Sequence, residues 1–303
     1  MVEHDLAKVG VASSSLVFRS ITTNAEVAQL VEHDLAKVGV ASSSLVFRSK
    51  KHLKRVLFLL VLTFTQYKMN YTDLFIDFDD TLYDTRGNAI IALQETFEAF
   101  QLGRWFPAPQ VFYDAYWAAN IDLWSRYSKG EITRDYLIVE RFRRPLSVGK
   151  GLNVTEALCL EMSDCFLDFC ATKPGLVEGA RELMDYLRKR GYRMHMTSNG
   201  FHEVQYKKLE ACGLKEHFDT IILSEDAGAN KPSPQFFDYA FQLTRAHRNT
   251  TLMMGDNLQT DILGAQAAGL DTLLFNRWGV DTDECPQPPT FIVNNLKDIM
   301  RVL

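Results

Sequence analysis

Several things are scarce in this 303-residue chain, and each scarcity closes a class of function. Cysteine is one. Its five residues (Cys159, Cys165, Cys170, Cys212, Cys285) are an odd number, with no C-x-x-C pair and no accompanying histidine pattern. That excludes a zinc knuckle or a disulfide framework and leaves reduced, buried thiols of a cytoplasmic protein as the expectation. Basic charge is not in excess either: 33 Lys+Arg stand against 38 Asp+Glu, a net −5, which argues against a nucleic-acid surface. The apolar run Val56 to Phe64, behind the basic KKHLKR, has nine residues, and a bilayer span needs about 20. It also lies too far from Met1, with no small-residue cleavage site after it, to be a signal-peptide core. What is present is ordinary for a soluble globular chain: 47% apolar and 23% charged residues, enough for one domain with an insert or for two domains.

A third copy of the repeat is lacking as well. Residues 2–20 recur unchanged at 31–49, but two copies with a weak hydrophobic pattern do not build a solenoid. The 29-residue offset corresponds to 87 nucleotides, about one transfer-RNA gene and a spacer. Back-translation agrees. VAQLVE (27–32) can be written as a D-arm, DLAKV (Asp34 to Val38) as a stem around a GCC anticodon, and Ala41 to Val46 as a hairpin carrying TTCGA. Met1 replaces Leu30 of the second copy, as a bacterial TTG start codon would. The expectation is that residues 1–49 translate two tandem tRNA genes and 50–68 a spacer, that 1–68 are disordered, and that the natural start is Met69. The removed segment carries nine Lys/Arg and five Asp/Glu, leaving 24 basic and 33 acidic residues, a net −9.

Beyond Met69 the pattern alternates. A strand at about 72–78 is followed by four helix-like stretches near 87–101, 109–127, 131–145 and 153–170. After Pro174-Gly175 come helix 177–190, strand 193–197, helix 202–212, strand 219–223, helix 234–245, strand 251–254, helix 259–268, strand 271–275, a short strand at 290–293 and a last helix. Such alternation predicts an α/β fold with a Rossmann-like parallel sheet. The core is expected over 69–84 and 173–303, with an all-helical cap inserted over 85–172.

The stretch DLFIDFDDTLYD (73–84) crowds Asp77, Asp79 and Asp80 onto the end of a buried strand. Like charges so close repel and are penalised further by burial. Polar residues also follow the next three strands: Ser198-Asn199-Gly200, then Lys231-Pro232, then Gly255-Asp256 with Asp261. On a parallel sheet these meet at one edge, where ligands of such sheets bind. Several carboxylates, a lysine and a hydroxyl make a site for Mg²⁺ and a phosphoryl group. The metal offsets the crowding, and one carboxyl can keep its proton to act as an acid. Asp80 and Asp84 read as turn or flap residues, and His202 as a surface histidine at a helix N-terminus.

The four motifs D77-F-D79-D-T81-L, S198-N-G, K231-P and G255-D256-N-L-Q-T-D261 resemble those of the haloacid dehalogenase-like (HAD) hydrolase superfamily, most of whose members are Mg²⁺-dependent phosphatases. The resemblance implies Asp77 as nucleophile, forming an aspartyl-phosphate, and Asp79 as general acid then base, with a pKa above that of Asp77. It implies Ser198, in preference to a core-facing Thr197, and backbone N–H groups on the phosphoryl oxygens, with Lys231 balancing their charge. Asp77, Asp256 and the Asp79 backbone carbonyl would hold Mg²⁺, and Asp261 would position Lys231 or a metal-bound water. Asn199 and Gly200 would contact substrate.

An aspartate two residues after the nucleophile favours phosphatase over dehalogenase, although mutases of the phosphoglucomutase branch keep both acids. The stretch N120-I-D-L-W124-S-R-Y127 through R141-F142 resembles the cap of a pyrimidine nucleotidase subfamily, as do S-N-G-F201 and S224-E-D-A-G-A-N-K231-P. Trp124 or Tyr127 could offer a pyrimidine an aromatic platform, or simply belong to the cap core. Two alternatives stand beside the nucleotidase: a sugar-phosphate or phosphoglycolate-type phosphatase, and a non-catalytic binding protein on this fold. A small-molecule phosphomonoester is the expected partner, with no nucleic acid and no membrane, for a monomer or weak dimer. Edman sequencing of the protein from its own host is expected to read Met69 first; a chain beginning near Met1 would sink the tRNA reading.

Overall fold

The structure, a computed structural model, describes residues 71–283 and 285–303; the readings of residues 1–68 and of the start at Met69 lie outside them. Within this range β1 (Asp73–Asp77), β2 (Arg193–Ser198), β3 (Thr220–Leu223), β4 (Thr251–Gly255), β5 (Asp271–Phe275) and β6 (Phe291–Val293) form one parallel sheet in the order β3-β2-β1-β4-β5-β6. The α/β expectation holds. Both β1 and β4 are buried throughout, which is why they read as apolar runs rather than alternating ones. Successive β1 residues nonetheless serve opposite layers. Leu74 and Ile76 join Leu183, Met196 and Met254 on one face, and Phe75 joins Ile222, Phe236 and Met253 on the other.

The chain leaves β1 toward β2 and β3, then returns to place β4 on the other side of β1. The switch point therefore lies between β1 and β4, where a crevice opens outside the carboxyl ends. Asp77 pairs in register with Thr197 of β2, and Ile76 with Met254 of β4. Residues just past those positions (Asp79, Ser198, Gly255-Asp256) are thereby brought to one edge.

Helices α1 (Thr85–Ala99), α2 (Pro109–Ser128), α3 (Arg134–Leu146) and α4 (Glu156–Ala171) pack on one another around their own apolar cluster, which includes Leu93, Phe97, Phe112, Tyr116, Phe142 and Phe166. The remaining helices are α5 (Ala180–Arg190), α6 (His202–Cys212), α7 (Ser224–Ala227), α8 (Pro234–Thr244), α9 (Gly264–Ala267) and α10 (Leu296–Val302). Starts of α3 and α4 fall three residues later than the hydrophobic pattern suggests. The reason is capping: the Thr133 and Thr155 side chains accept the Tyr136 and Leu158 N–H groups. The helix expected at 259–268 is a wider, π-helical turn over Leu258–Leu263 that runs into α9. Its first N–H groups, from Gln259 and Thr260, go to the Asn257 side chain. Among the described residues no helix is long and apolar enough to cross a membrane. All five cysteines are unpaired, with Cys159, Cys170 and Cys212 buried.

The two chain crossings between sheet and helices run side by side. Tyr83 bridges to Leu176, Val177 N–H donates to Leu82 O at 2.9 Å, and Asp84 N–H to Gly175 O at 3.1 Å. Tyr83 is fully buried, its ring stacked on Phe78 with centroids 5.3 Å apart. Its hydroxyl lies 2.8 Å from the Cys170 carbonyl oxygen and 3.0 Å from that of Lys173. Tyr83→Phe leaves both carbonyls without that donor and is expected to cost about 1–3 kcal/mol, read as a lower urea midpoint at unchanged m-value.

Candidate active site

A buried ammonium organises the centre. Lys231 Nζ donates to Asp77 Oδ1 at 2.7 Å and to the Thr197 carbonyl at 2.9 Å, and lies 2.8 Å from Asp261 Oδ1. Burial alone would drive the lysine toward neutrality, yet Asp261 and Asp77 on either side raise its pKa. Asn199 fixes the lysine's backbone: its Oδ1 accepts the Lys231 N–H at 2.8 Å, and its Nδ2 donates to the Lys231 carbonyl at 2.9 Å. The Lys231–Pro232 peptide is cis.

Beside this pair stands Asp256. Carboxylate oxygens of Asp77, Asp256 and Asp261 all fall within 4.8 Å of one another. Burial pushes Asp256 up to about 7, helped by the Asp261 charge, while the Trp278 indole N–H, donating at 2.8 Å, works the other way. Burial likewise raises Asp77 well above the usual carboxylate range; Lys231 opposes the rise, and Asp261 and Asp256 add to it. Thr81 joins two of these acids, donating to Asp77 Oδ2 at 2.8 Å and accepting the Asp256 N–H at 3.1 Å. Three crowded oxygens beside a single lysine fit a hard dication, which prefers oxygen and offsets their repulsion.

Asp79 is separated from that cluster. Lys208 Nζ lies 2.6 Å from its Oδ1, which also accepts the Thr85 hydroxyl at 2.7 Å; Oδ2 accepts Gln205 Nε2 and, at 3.4 Å, the Ser198 hydroxyl. Burial raises this carboxyl, but Lys208 and the hydrogen bonds outweigh it and leave Asp79 below its ordinary value. The protein groups around the two acids thus set them in the opposite order to the expected one, with Asp77 pushed up and Asp79 down. The sequence pattern shows the carboxylates but not Lys208, so the sign of the balance at Asp79 is invisible in it.

Ser198 is buried, and its Oγ accepts the Gly200 N–H at 3.0 Å and Gln205 Nε2 at 2.6 Å. Thr197 points its hydroxyl at the Met253 sulfur, 3.7 Å away in the core. Gly200 has no room for a side chain, because a Cβ there would collide with the Gln205 amide. These groups open on a cavity of about 420 Å³ between the strand ends and the helices. Asp77, Asp79, Ser198, Asn199, Gly200, Lys231, Asp256, Asp261 and Trp124 all line it. Tyr127 does not, a correction to the platform expected of it. Its ring packs edge-on against Trp124 (5.6 Å) and Phe201 (6.2 Å), so it belongs to the apolar seam under the cavity. The Asn199 amide is engaged at both ends by Lys231, so that side chain holds a loop.

His202 is exposed, stacked near Tyr206, and outside the cavity lining. Asp80 takes a left-handed turn (φ 62°) and accepts the Arg86 N–H at 3.2 Å, and Arg277 reaches Asp84 at 3.4 Å. Lys208, Gln205, Thr85 and Trp278 were not anticipated. Gln205 and Lys208 sit three apart on the helix that S-N-G opens, a spacing that puts both on one face; their position just past the motif is the signal that could have found them.

The chain belongs to the haloacid dehalogenase-like hydrolases, whose sequence pattern it matches over residues 74–269. HAD-hydrolase YfnB of Bacillus subtilis (strain 168) is 31% identical over 238 residues, 77% of this chain and 95% of that one. A solved structure of YfnB bound to magnesium superposes with a TM-score of 0.68 over 77% of this chain and 99% of its own, at 30% identity. Pyrimidine 5'-nucleotidase YjjG of Escherichia coli (strain K12) is 31% identical over 242 residues, covering 78% of this chain and 99% of that protein. Glyceraldehyde 3-phosphate phosphatase of Methanothermobacter thermautotrophicus is 28% identical over 204 residues, 67% of this chain and 84% of that one.

Asp256→Asn should act in opposite directions with and without metal. In EDTA at pH 8 it removes repulsion within the cluster and is expected to raise Tm by roughly 2–6 °C. Millimolar Mg²⁺ is expected to raise the Tm of the wild-type protein, and that shift should shrink or vanish in the variant. Differential scanning fluorimetry reads both; a variant destabilised in EDTA with a full Mg²⁺ shift would remove Asp256 from the metal site.

Proposed function

We propose that the chain is a Mg²⁺-dependent phosphomonoesterase acting through an aspartyl-phosphate, and that its substrates are pyrimidine nucleoside 5'-monophosphates. The carrying observation is the separation of two carboxylates two residues apart. Asp77 lies among Lys231, Asp256 and Asp261, whereas Asp79 lies among Lys208, Gln205, Thr85 and Ser198. This separation supports attack by one carboxylate and proton transfer by the other.

In the first displacement an Asp77 oxygen attacks phosphorus and the ester P–O bond breaks, with Asp79 delivering its proton to the leaving oxygen. In the second, the Asp79 carboxylate takes a proton from water as the water oxygen attacks phosphorus. The P–O bond to Asp77 then breaks, releasing inorganic phosphate and restoring both acids. Ser198 and the N–H groups that follow it bind phosphoryl oxygens, and Lys231 balances their charge. Asp77, Asp256, Asp261 and the Asp79 backbone carbonyl would hold Mg²⁺, which when bound supplies charge neutralisation at the phosphoryl group. A bound dication would lower Asp77, and a phosphoryl dianion beside Asp79 would raise it, giving the order that acid catalysis by Asp79 requires.

Residues 85–172 act as the cap, and the aromatic lining they contribute through Trp117 and Trp124 supports a flat leaving group. The likeness to YjjG along almost its whole length supports the same reading. The likeness to a glyceraldehyde 3-phosphate phosphatase supports a second one, a sugar-phosphate substrate in the same site.

Phosphate release is expected from UMP, dUMP and dTMP, abolished by EDTA and lowered roughly a thousandfold or more in Asp77→Asn. Turnover confined to glyceraldehyde phosphate, glucose phosphates or phosphoglycolate would keep the chemistry and discard the nucleotide. No turnover by folded, Mg²⁺-loaded protein would leave a binding protein on this fold.

A further inference from the structure

Arg141, on α3, stands in the cavity wall with a charge that no carboxylate answers. It is 2% exposed, and its Nη2 donates to the Ser163 hydroxyl at 3.0 Å. Its Nε has no hydrogen-bond partner, and among the described residues the guanidinium enters no ion pair. Arg143 and Arg144 of the same helix are ordinary by comparison, sharing Glu140 at 3.1 and 3.4 Å. Two titratable groups beside Arg141, Cys170 and Tyr116, stay neutral. Burial pushes the Cys170 thiol up to about 11 and raises the Tyr116 hydroxyl as well. The rings of Phe166 and Phe142 lie 5.3 and 5.9 Å from the guanidinium carbon. A guanidinium does not shed its proton, so this is a permanent charge taken out of water and offset only in part by ring faces and one hydroxyl.

A second donor stands on α2. Tyr116 donates its hydroxyl to Asn120 Oδ1 at 3.4 Å, which settles that oxygen as an acceptor and leaves the amide N–H pair for a ligand. Arg141, Tyr116 and Asn120 all line the cavity, together with Trp117 and Trp124. The helical wall therefore presents donors between aromatic surfaces, while the sheet edge presents carboxylates and Lys231. Aromatic walls suit a flat ring better than a compact anion.

We propose that Arg141, assisted by Asn120, selects the substrate by donating to a ring carbonyl of the leaving group. That carbonyl is the one at C2, shared by uracil, thymine and cytosine and absent from adenine. The inference rests on the nucleotidase reading and assigns a specificity residue to it. Loss of hydrogen bonds from a charged donor weakens recognition by about 10- to 100-fold.

The test measures kcat/KM of the full chain on UMP, dTMP, AMP, phenyl phosphate and phosphoglycolate for wild type, Arg141→Met and Arg141→Lys. The expected result is a roughly 10- to 100-fold smaller preference for UMP and dTMP over AMP and phenyl phosphate in Arg141→Met, carried mainly by KM. Losses on AMP and phenyl phosphate should be a few-fold at most. Arg141→Lys keeps the cation without the planar fork and should lose the preference in smaller measure, which also reads the effect if the methionine variant fails to fold. Equal losses on every substrate, with a lowered Tm, would make Arg141 a structural residue and overturn the proposal. An Arg141-dependent preference for phosphoglycolate would overturn it in favour of an anion subsite. A pyrimidine preference that survives in both variants overturns this inference alone, whereas a wild-type protein with no such preference overturns the nucleotidase reading with it.

Discussion

Everything at the strand ends depends on Lys231 standing between Asp77 and Asp261. Two buried carboxylates and a third close by would not share this edge if left to themselves, and removing one partner of such a buried pair costs about 3–5 kcal/mol. The sequence surrounds this lysine with devices that hold it. Asn199 takes both of its backbone polar groups, and Pro232 follows it. Gly264 then gives way to that proline: a Cβ there would stand 2.7 Å from the Pro232 Cβ. Gly255 is small for a related reason, since a side chain on it would collide with the Asp261 carboxylate. Gly255 of the fourth motif and Gly264 just beyond it are thus requirements of close approach around one charge pair.

The same edge separates two acids that are almost adjacent in sequence. Asp77 ends a strand and faces the lysine and the acid cluster. Asp79 lies beyond it, before the left-handed turn at Asp80, and meets α6 instead. Their surroundings push them in opposite directions: burial and acidic neighbours carry Asp77 up, and an ammonium from the helix side carries Asp79 down. Identical side chains meet different surroundings because the strand ends at Asp77 and Asp79, two residues on, reaches α6.

How much of this could be read from the chain follows from the same physics. The sheet was legible because buried parallel strands are short apolar runs, and because polar residues at their carboxyl ends have one place to meet. Asp77, Lys231, Asp256 and Asp261 were legible for that reason. Lys208 and Gln205 were not, because a polar residue on a helix following a motif looks the same whether it faces solvent or a carboxylate. Tyr127 misled for the converse reason: an aromatic three residues from Trp124 shares its helix face, but Phe201 draws it into the seam. The π-helical turn at Leu258–Leu263 was hidden because a helical hydrophobic period does not distinguish it from an α-helix, whereas the Asn257 cap and the Asp261 carboxylate accepting the Asn257 N–H at 3.1 Å do.

The contacts that close the cavity differ in kind from those that build it. Phe201, directly after Ser198-Asn199-Gly200, packs against Trp124 and Tyr127 and lies under Arg134, whose guanidinium carbon is 4.5 Å from the ring centroid. Arg134 in turn pairs with Glu203 and, at 3.5 Å, with Glu225, both partly exposed to solvent. Exposed pairs of this kind contribute about 0–1 kcal/mol each, and the apolar seam is small beside the two clusters that flank the sheet. The crossings at Tyr83 and Leu176, by contrast, are buried and tied backbone to backbone. Separating the helical wall from the strand ends is therefore cheap at the Phe201 side and expensive at the Tyr83 side. The short segment from Ser198 at the end of β2 to Phe201 is the one in contact with that wall, which ties the groups at the strand ends to the helical side of the cavity.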